Sequence, residues 1–481
     1  LRILFVTKCI GLTEPLGLMY LSRALKDAGH ITHLIQADRV KKPEDLAERF
    51  SPHILAYSVT TGLHNFYLEL NRRLRKRLPQ TISLFGGPHP TFFPEMIDEE
   101  GVDIICRGEG EASLVELAGQ LSKGESIRHI PNLWVKEGNK IYPNPPRPLV
   151  TELDTIPHPD RELVYAQDRW LAEYPIKHFL NTRGCPYDCA YCFNHALEEV
   201  YRESGGGSRL VRFRGVDDII SEVNEVASRW PLQLVRFVSD IFVFSLGWLS
   251  EFAHKFPSRV GLPFSCNVRA NLVTDQTARL LKEAGCVSVL MGVESGDEEM
   301  RNRVLGRGMS TRTIIKAAEH LHRYHIAIYS QNILGLPGET FKGALSTMRL
   351  NSRIKAEFAW ASIFQPYPRT RLGEYAVKHG FYHGRYDDLK ISYHSRSALT
   401  FPQKGDKRRI EALHRLFSFA SAFPATWELV QEACQLPPNP LTNLLYKFWY
   451  GFAMYRWIFP LRYNISLLTT SVAHFFQKDE G

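Results

Sequence analysis

The chain opens with short apolar runs at residues 3–6, 54–58, 82–85 and 104–106, each bounded by polar or turn residues. Such runs are the pattern of strands buried on both faces of a parallel sheet. Between them, residues 16–28, 66–77 and 112–121 place apolar side chains at helical spacing. This alternation predicts an α/β domain over residues 1–140, doubly wound and Rossmann-like, with its ligand crevice at the carboxyl ends of the strands. The loops expected at those ends, residues 7–14, 58–62, 86–91 and 107–111, are rich in Gly, Ser and Thr. Any one of them reads as turn chemistry, but four on one edge read as a cofactor face.

A Pro-rich stretch from 143 to 159 ends this domain, and residues 141–172 read as a linker. Alternation then resumes. Strands are expected at 178–181, 234–238, 264–267, 288–292, 327–333 and 358–364, with helices at 217–228, 275–283 and 311–324. Six βα units predict a partial (β/α)6, TIM-like barrel over residues 173–375, again with its chemistry at strand C-termini. Residues 376–481 read as a mostly helical C-terminal domain, and 205–208 as a flexible loop.

The net charge of +8 comes from 59 basic against 51 acidic residues without long basic blocks. That is a solvated surface rather than a nucleic-acid footprint, so no nucleic-acid partner is expected. No signal peptide precedes the first strand, and no run of about 18 uncharged apolar residues occurs, so a cytoplasmic protein is expected. Eight cysteines do not form a disulfide framework: Cys9, Cys106, Cys266, Cys286 and Cys434 are scattered, while three crowd together.

Those three, Cys185, Cys189 and Cys192, follow the first barrel strand at Cys-x3-Cys-x2-Cys spacing. One short loop with three thiolates can wrap an iron–sulfur cubane and ligate three of its irons, leaving the fourth open to a small molecule. The competing reading is zinc, with His195 completing a Cys3His set. A structural zinc site usually divides its ligands between two elements, whereas these lie on one loop.

The segment 181–195, Asn-Thr-Arg-Gly-Cys-Pro-Tyr-Asp-Cys-Ala-Tyr-Cys-Phe-Asn-His, resembles the cluster motif of radical S-adenosylmethionine (SAM) enzymes. The resemblance implies a [4Fe-4S] cluster on Cys185, Cys189 and Cys192, with SAM on the open iron and Tyr191 beside its adenine. It implies reductive cleavage of SAM to a 5′-deoxyadenosyl radical, fed by an external electron donor such as flavodoxin or ferredoxin. Further matches imply more SAM contacts: Glu294 in Gly-Val-Glu-Ser-Gly, Arg307 for the methionine carboxylate, and Leu336 in the Asn332–Glu339 segment beside the adenine. Ser239-Asp240 stands where the family has an Asp-Asp pair, with only Asp240 acidic, and Arg269 ends the third strand facing the same crevice.

The first domain resembles the cobalamin-binding domain found ahead of many such barrels. The resemblance assigns cobalamin to Thr13, Glu14, Ser58, Thr60, Thr61, Gly62, Gly86, Gly87, Pro88, His89, Gly108 and Glu109. The Asp-x-His-x-x-Gly motif that gives a histidine to cobalt elsewhere is absent, and Lys8-Cys-Ile-Gly-Leu-Thr-Glu stands after the first strand. Cobalamin is therefore expected without a histidine lower ligand. A dinucleotide site fits less well, because Gly-x-Gly-x-x-Gly does not follow strand one. With both cofactors, the family most often methylates an unactivated carbon of a small molecule. Relatives cyclise or oxidatively rearrange substrates instead, and a non-catalytic corrinoid-binding protein is the reading from another class.

Phe448, Trp449, Tyr450, Phe452, Tyr455, Trp457, Phe459 and Tyr463 crowd the tail, and Phe475 and Phe476 follow. These rings read as the core of a small helical domain. Two functional readings stand beside that one: a wall over the barrel mouth for a large apolar substrate, or a surface, interspersed with Lys447, Arg456 and Arg462, that touches membrane. The last would make the protein peripheral to a membrane.

Overall fold

The computed structural model describes residues 1–202, 211–386, 389, 396–436 and 440–461. The loop expected at 205–208 and the aromatic residues Tyr463, Phe475 and Phe476 lie outside them, as does Arg462. The chain forms two compact units, residues 1–174 with 194–212, and residues 175–193 with 213–481.

In the first unit, β1 (Arg2–Thr7), β2 (Ile31–Gln36), β3 (Ile54–Ser58), β4 (Ile82–Gly86) and β5 (Ile104–Cys106) run parallel in the order β2-β1-β3-β4-β5. An antiparallel hairpin, β6 (Leu133–Glu137) and β7 (Lys140–Pro143), extends the sheet beyond β5. The strand order reverses at β1/β3, the switch point at which such sheets open a ligand crevice. Leu4, Val6, Leu55, Tyr57 and Phe85 pack against the helix His64–Arg77.

Residues 141–172, expected as a linker, pack into this unit instead. The reason is a set of ion pairs: Asp160 with Lys26 (2.7 Å), Asp168 with Arg39 (2.8 Å) and, buried on both sides, Arg161 with Glu14 (2.8 Å). Ser22 Oγ also donates to Asp160 at 2.6 Å. A Pro-rich composition marks an irregular path, and these charges tie that path to the sheet layer.

The second unit holds β8 (Ile176–Phe179), with two-residue strands β9 (Thr182–Arg183) and β10 (Arg212–Phe213) next in the chain. Then come β11 (Leu234–Phe237), β12 (Phe264–Val268), β13 (Cys286–Glu294), β14 (Ala327–Leu334) and β15 (Phe358–Ile363). Six of these form one parallel sheet in the order β8-β11-β12-β13-β14-β15. It is an open barrel; no closed barrel is formed by the described residues. Val235, Phe237, Phe264, Cys266, Val268, Val289, Met291 and Ile328 pack outward on the surrounding helices. The alternate residues, among them Arg236, Ser265, Asn267, Ser288, Leu290 and Tyr329, face the lumen.

The helix Asp406–Ala422 covers β15 and the helix Phe341–Arg353 from outside. The aromatic tail does not sit over the mouth, so the expected wall there is corrected for its described part. The helix Pro440–Ala453 and the π-turn Met454–Ile458 pack Trp449, Ala453, Met454 and Ile458 on Phe358, Ala327 and Tyr329. Ala327 and Phe358 begin their strands, so the tail closes the N-terminal end of the barrel. Ser288 Oγ donates to the Ile458 carbonyl at 2.6 Å. On the opposite helical face Leu441, Leu444, Phe448, Phe452 and Tyr455 are exposed. No helix among the described residues is long and apolar enough to cross a membrane.

Past β14 the chain turns around Glu339. Its Oε2 accepts from the Gly335 and Leu336 N–H groups at 2.6 and 3.2 Å, and its buried Oε1 has no hydrogen-bond partner. Burial, only partly offset by those two N–H groups, pushes this carboxyl up to about 8, so it is neutral at neutral pH. The unfolded group titrates near about 4.3. Because the folded pKa is the higher one, its contribution is full below pH 4 and is lost as pH rises toward 8. Wild-type protein should therefore lose melting temperature between pH 5 and 9 more steeply than Glu339→Gln, and parallel curves would contradict this. Trp449→Ala should lower stability by about 3–5 kcal/mol through the cavity it leaves, visible in calorimetry as an earlier transition. An unmoved transition would mean that the tail does not pack on the strands.

Candidate active site

The cysteine loop is pinned at its root. Ser239 Oγ, just after β11, accepts from the N–H groups of Asn181 and Thr182 at 3.0 and 3.1 Å. Thr182 Oγ1 donates to the Ile241 carbonyl at 3.1 Å. Farther on, Ala190 N donates to Leu305 O at 3.0 Å, Ala190 O accepts from Leu372 N at 2.8 Å, and Asp188 pairs with Arg371 at 2.5 Å. The loop so held carries Cys185, Cys189 and Cys192, none of them in a disulfide, with Cys189 buried and the others partly exposed. Cys192 N turns back onto Cys189 O at 3.0 Å. Among the described residues no three His, Cys, Asp or Glu side chains converge on a single-ion cage; a cubane is wider than one ion and takes its thiolates farther apart. His195, the fourth ligand of the zinc reading, belongs to the helix Asn194–Arg202 of the first unit.

Two buried guanidinium groups face Cys189. Arg269 Nη1 lies 3.3 Å from its Sγ and Arg307 Nη1 4.0 Å. Arg269 also donates from Nη2 to the Arg307 carbonyl, from Nε to Asn271 Oδ1 at 2.8 Å, and lies 3.8 Å over the Tyr187 ring. Arg307 Nη1 donates to Tyr191 Oη at 2.8 Å, Nη2 to Gly292 O at 2.5 Å, and its buried Nε has no partner. Cations placed on a thiol favour its thiolate, so this donor set fits an anionic cluster. The orphaned Nε is a donor still lacking its acceptor.

Glu294 completes this group, 3.3 Å from Arg307 Nη1 and accepting from Tyr191 Oη at 3.0 Å. A bulge at Gly292/Glu294 and φ of +66° at Glu294 aim that side chain into the crevice. A left-handed non-glycine residue costs about 1–3 kcal/mol and marks a site under constraint. Burial pushes the Glu294 carboxyl up even with Arg307 beside it. Gly296 allows the next turn to approach the helix Phe341–Arg353, since a Cβ there would lie 2.3 Å from Ser346 O. The structure thus brings Cys189, Tyr191, Arg269, Glu294 and Arg307 together. Asp240 is exposed beyond β11, and Leu336 is buried at the turn after β14.

On the first unit, the loops at the carboxyl edge are knitted to one another. Val59 N donates to Gly86 O, and His89 N to Val59 O, both at 2.8 Å. His89 Nδ1 meets Thr61 Oγ1 at 3.1 Å, and its ring stacks on His64 (4.4 Å) and Phe93 (4.9 Å). Thr13, Thr60 and Pro88 are exposed there, and Ser58, Gly62, Gly86 and Gly87 are half-buried. Backbone groups, hydroxyls and stacked rings along one edge fit a corrin with its amide arms. Glu14 points elsewhere, into the buried Arg161 and Tyr165 pair. Gly108 and Glu109 are engaged by the chain itself: a Cβ on Gly108 would lie 2.3 Å from Tyr201 Oη, and Arg212 pairs with Glu109 at 2.7 Å. Sequence reasoning missed Tyr201, Arg212 and Tyr187, because no local pattern marks contacts across such separations.

Comparison with known proteins agrees with this geometry. The family model of the B12 binding domain matches residues 4–118, and that of the radical SAM superfamily residues 181–350. An uncharacterized methyltransferase of Pyrococcus horikoshii is 27% identical over 382 residues, 77% of this chain and 80% of its own length. The anaerobic magnesium-protoporphyrin IX monomethyl ester cyclase of Synechocystis is 30% identical over 326 residues, 65% of this chain but 62% of its own length. Among solved structures, the cobalamin-dependent SAM radical enzyme OxsB, with aqua-cobalamin and SAM bound, superposes with TM-score 0.66 at 14% identity, covering 100% of this chain and 80% of that one. With a B12-binding sheet ahead of a radical SAM sheet, the chain belongs to the cobalamin-binding radical SAM enzymes.

Proposed function

We propose that the protein is a cobalamin-dependent radical SAM methyltransferase that methylates an unactivated carbon of a small molecule. The observation that carries the reading is Cys189 held between Arg269 and Arg307 on a loop with two further cysteines. When bound, the cluster and SAM would supply a 5′-deoxyadenosyl radical, and cobalamin a transferable methyl group.

The chain's own part is to bind, orient and exclude. Cys185, Cys189 and Cys192 would hold the cluster. Arg307, with its unpartnered Nε, would take the methionine carboxylate, and Glu294 or Asp240 the amino group. Tyr191 and the backbone at Leu336 would flank the adenine. The loops at Thr13, Ser58 to Gly62 and Gly86 to His89 would line cobalamin, with no histidine on cobalt. Glu14, Gly108 and Glu109 hold the first unit together instead.

The relative from P. horikoshii bears the name methyltransferase, which supports methyl transfer. The cyclase from Synechocystis keeps cyclisation as the second reading, for an aligned region covering 62% of that enzyme. A non-catalytic corrinoid protein would need neither the thiol loop nor its arginines. Anaerobic protein given SAM and a strong reductant should form 5′-deoxyadenosine, and none would sink the proposal. Arg307→Ala should weaken SAM binding about ten-fold or more, the worth of a charge-assisted hydrogen bond of about 1.5–3 kcal/mol. Unchanged affinity would transfer the carboxylate role to Arg269.

A further inference from the structure

Among the described residues, the lumen of the open barrel carries one arginine that meets neither a carboxylate nor the Cys189 thiol. Of the buried arginines, Arg161, Arg212, Arg214, Arg301 and Arg307 each have a carboxylate within 3.4 Å, and Arg269 has the Cys189 thiol. Arg236, 6% exposed on β11, has neither among the described residues. Its Nη1 donates to the Phe237 carbonyl and its Nη2 to Asn267 Oδ1 at 2.5 Å. The ionisable groups that reach it are Cys266, Tyr329 and Cys286, none of them a carboxylate, and burial lowers the guanidinium to about 10. An unpaired buried charge costs several kcal/mol. A fold that carries one has a use for it, because function and stability trade against each other at such positions.

We propose that Arg236 is a substrate-binding residue that takes a carboxylate group of the substrate inside the barrel. Arg236 lies level with Ser265 and His178 in the strand register. Below, Ser288 Oγ lies 3.0 Å from Ser265 Oγ and 2.6 Å from Ile458 O, so the tail floors the lumen. Above, Asn267 is partly exposed, and its Nδ2 donates at 2.8 Å to the carbonyl of Ser239, the residue that pins the root of the cysteine loop. A group held on Arg236 and Asn267 is therefore one side chain from the elements that would hold cluster and SAM. The neighbouring lumen positions Leu290, Tyr329 and Ile333 keep partial exposure and are largely apolar. One guanidinium without a second cation matches a monoanion better than a phosphate dianion. The substrate class is thus an apolar body bearing a carboxylate.

This inference rests on the radical SAM reading, but the two are judged by different readouts. Absence of deoxyadenosine in the wild type would sink that reading; the Arg236 site is judged by ligand-dependent melting. Anaerobic holoenzyme is melted with increasing propionate, against chloride at matched ionic strength. Propionate should raise the wild-type melting temperature by about 1–3 °C, and Arg236→Met and Arg236→Gln should abolish the rise. Without ligand, Arg236→Met should melt at or above the wild-type temperature, since the buried charge is gone. SAM affinity should be unchanged in both variants. The proposal is overturned if the wild type does not respond, if the response survives in both variants, or if both melt well below wild type, the mark of a structural arginine. A loss of SAM affinity would also overturn it, by assigning the carboxylate to SAM itself.

Discussion

The second unit is organised around buried positive charge that waits for negative charge. Arg269 and Arg307 converge on the Cys189 thiol, and among the described residues Glu294 is the carboxylate that pairs with Arg307. Desolvating a guanidinium is expensive unless an anion or a full set of acceptors meets it. An anionic thiolate cluster on three cysteines and a bound carboxylate would supply both. The same logic explains the rigidity around the loop. Ser239, Leu305 and Leu372 hold its backbone at three places, so the thiols are fixed by hydrogen bonds and do not depend on the metal alone to find their positions.

Placement of the other groups follows from parallel strands. Five of the six strands of the open barrel deliver a residue at their carboxyl ends: Asn181 after β8, Ser239 after β11, Arg269 after β12, Glu294 on β13 and Leu336 after β14. On β13 the alternation that turns Ser288 and Leu290 inward brings Glu294 to the same face, and the bulge and left-handed backbone there adjust its aim at a local cost. The first unit uses the same edge of its own sheet, with its loops tied to one another and a switch point between β1 and β3. The tail serves the opposite end, where Trp449 and Ile458 cap the strands and leave the functional edge to the loops.

Much of this was legible in the sequence because buried parallel strands are continuous apolar runs. The runs at 54–58 and 104–106 coincide with β3 and β5, and the barrel strands agree within a few residues. β2 was missed because it is an edge strand whose first half is exposed, so its Ile-Thr-His start carries no apolar run. The hairpin of β6 and β7 was hidden by the prolines that follow it. Charge pairs were the least legible: Arg161 with Glu14 and Arg212 with Glu109 join residues more than a hundred positions apart, and no local period encodes them. For the same reason Arg236 reads as an ordinary strand residue in sequence. Its character appears only once its described neighbours are known to hold no carboxylate.

The central claim is that Cys185, Cys189 and Cys192 hold a cluster with one iron left open to SAM. Electron paramagnetic resonance of the reduced protein, recorded before and after adding SAM, tests it most directly. The account predicts a [4Fe-4S]+ signal whose g-values shift when SAM binds the open iron. A spectrum unchanged by saturating SAM, or a reduced protein with no cluster signal, would contradict it.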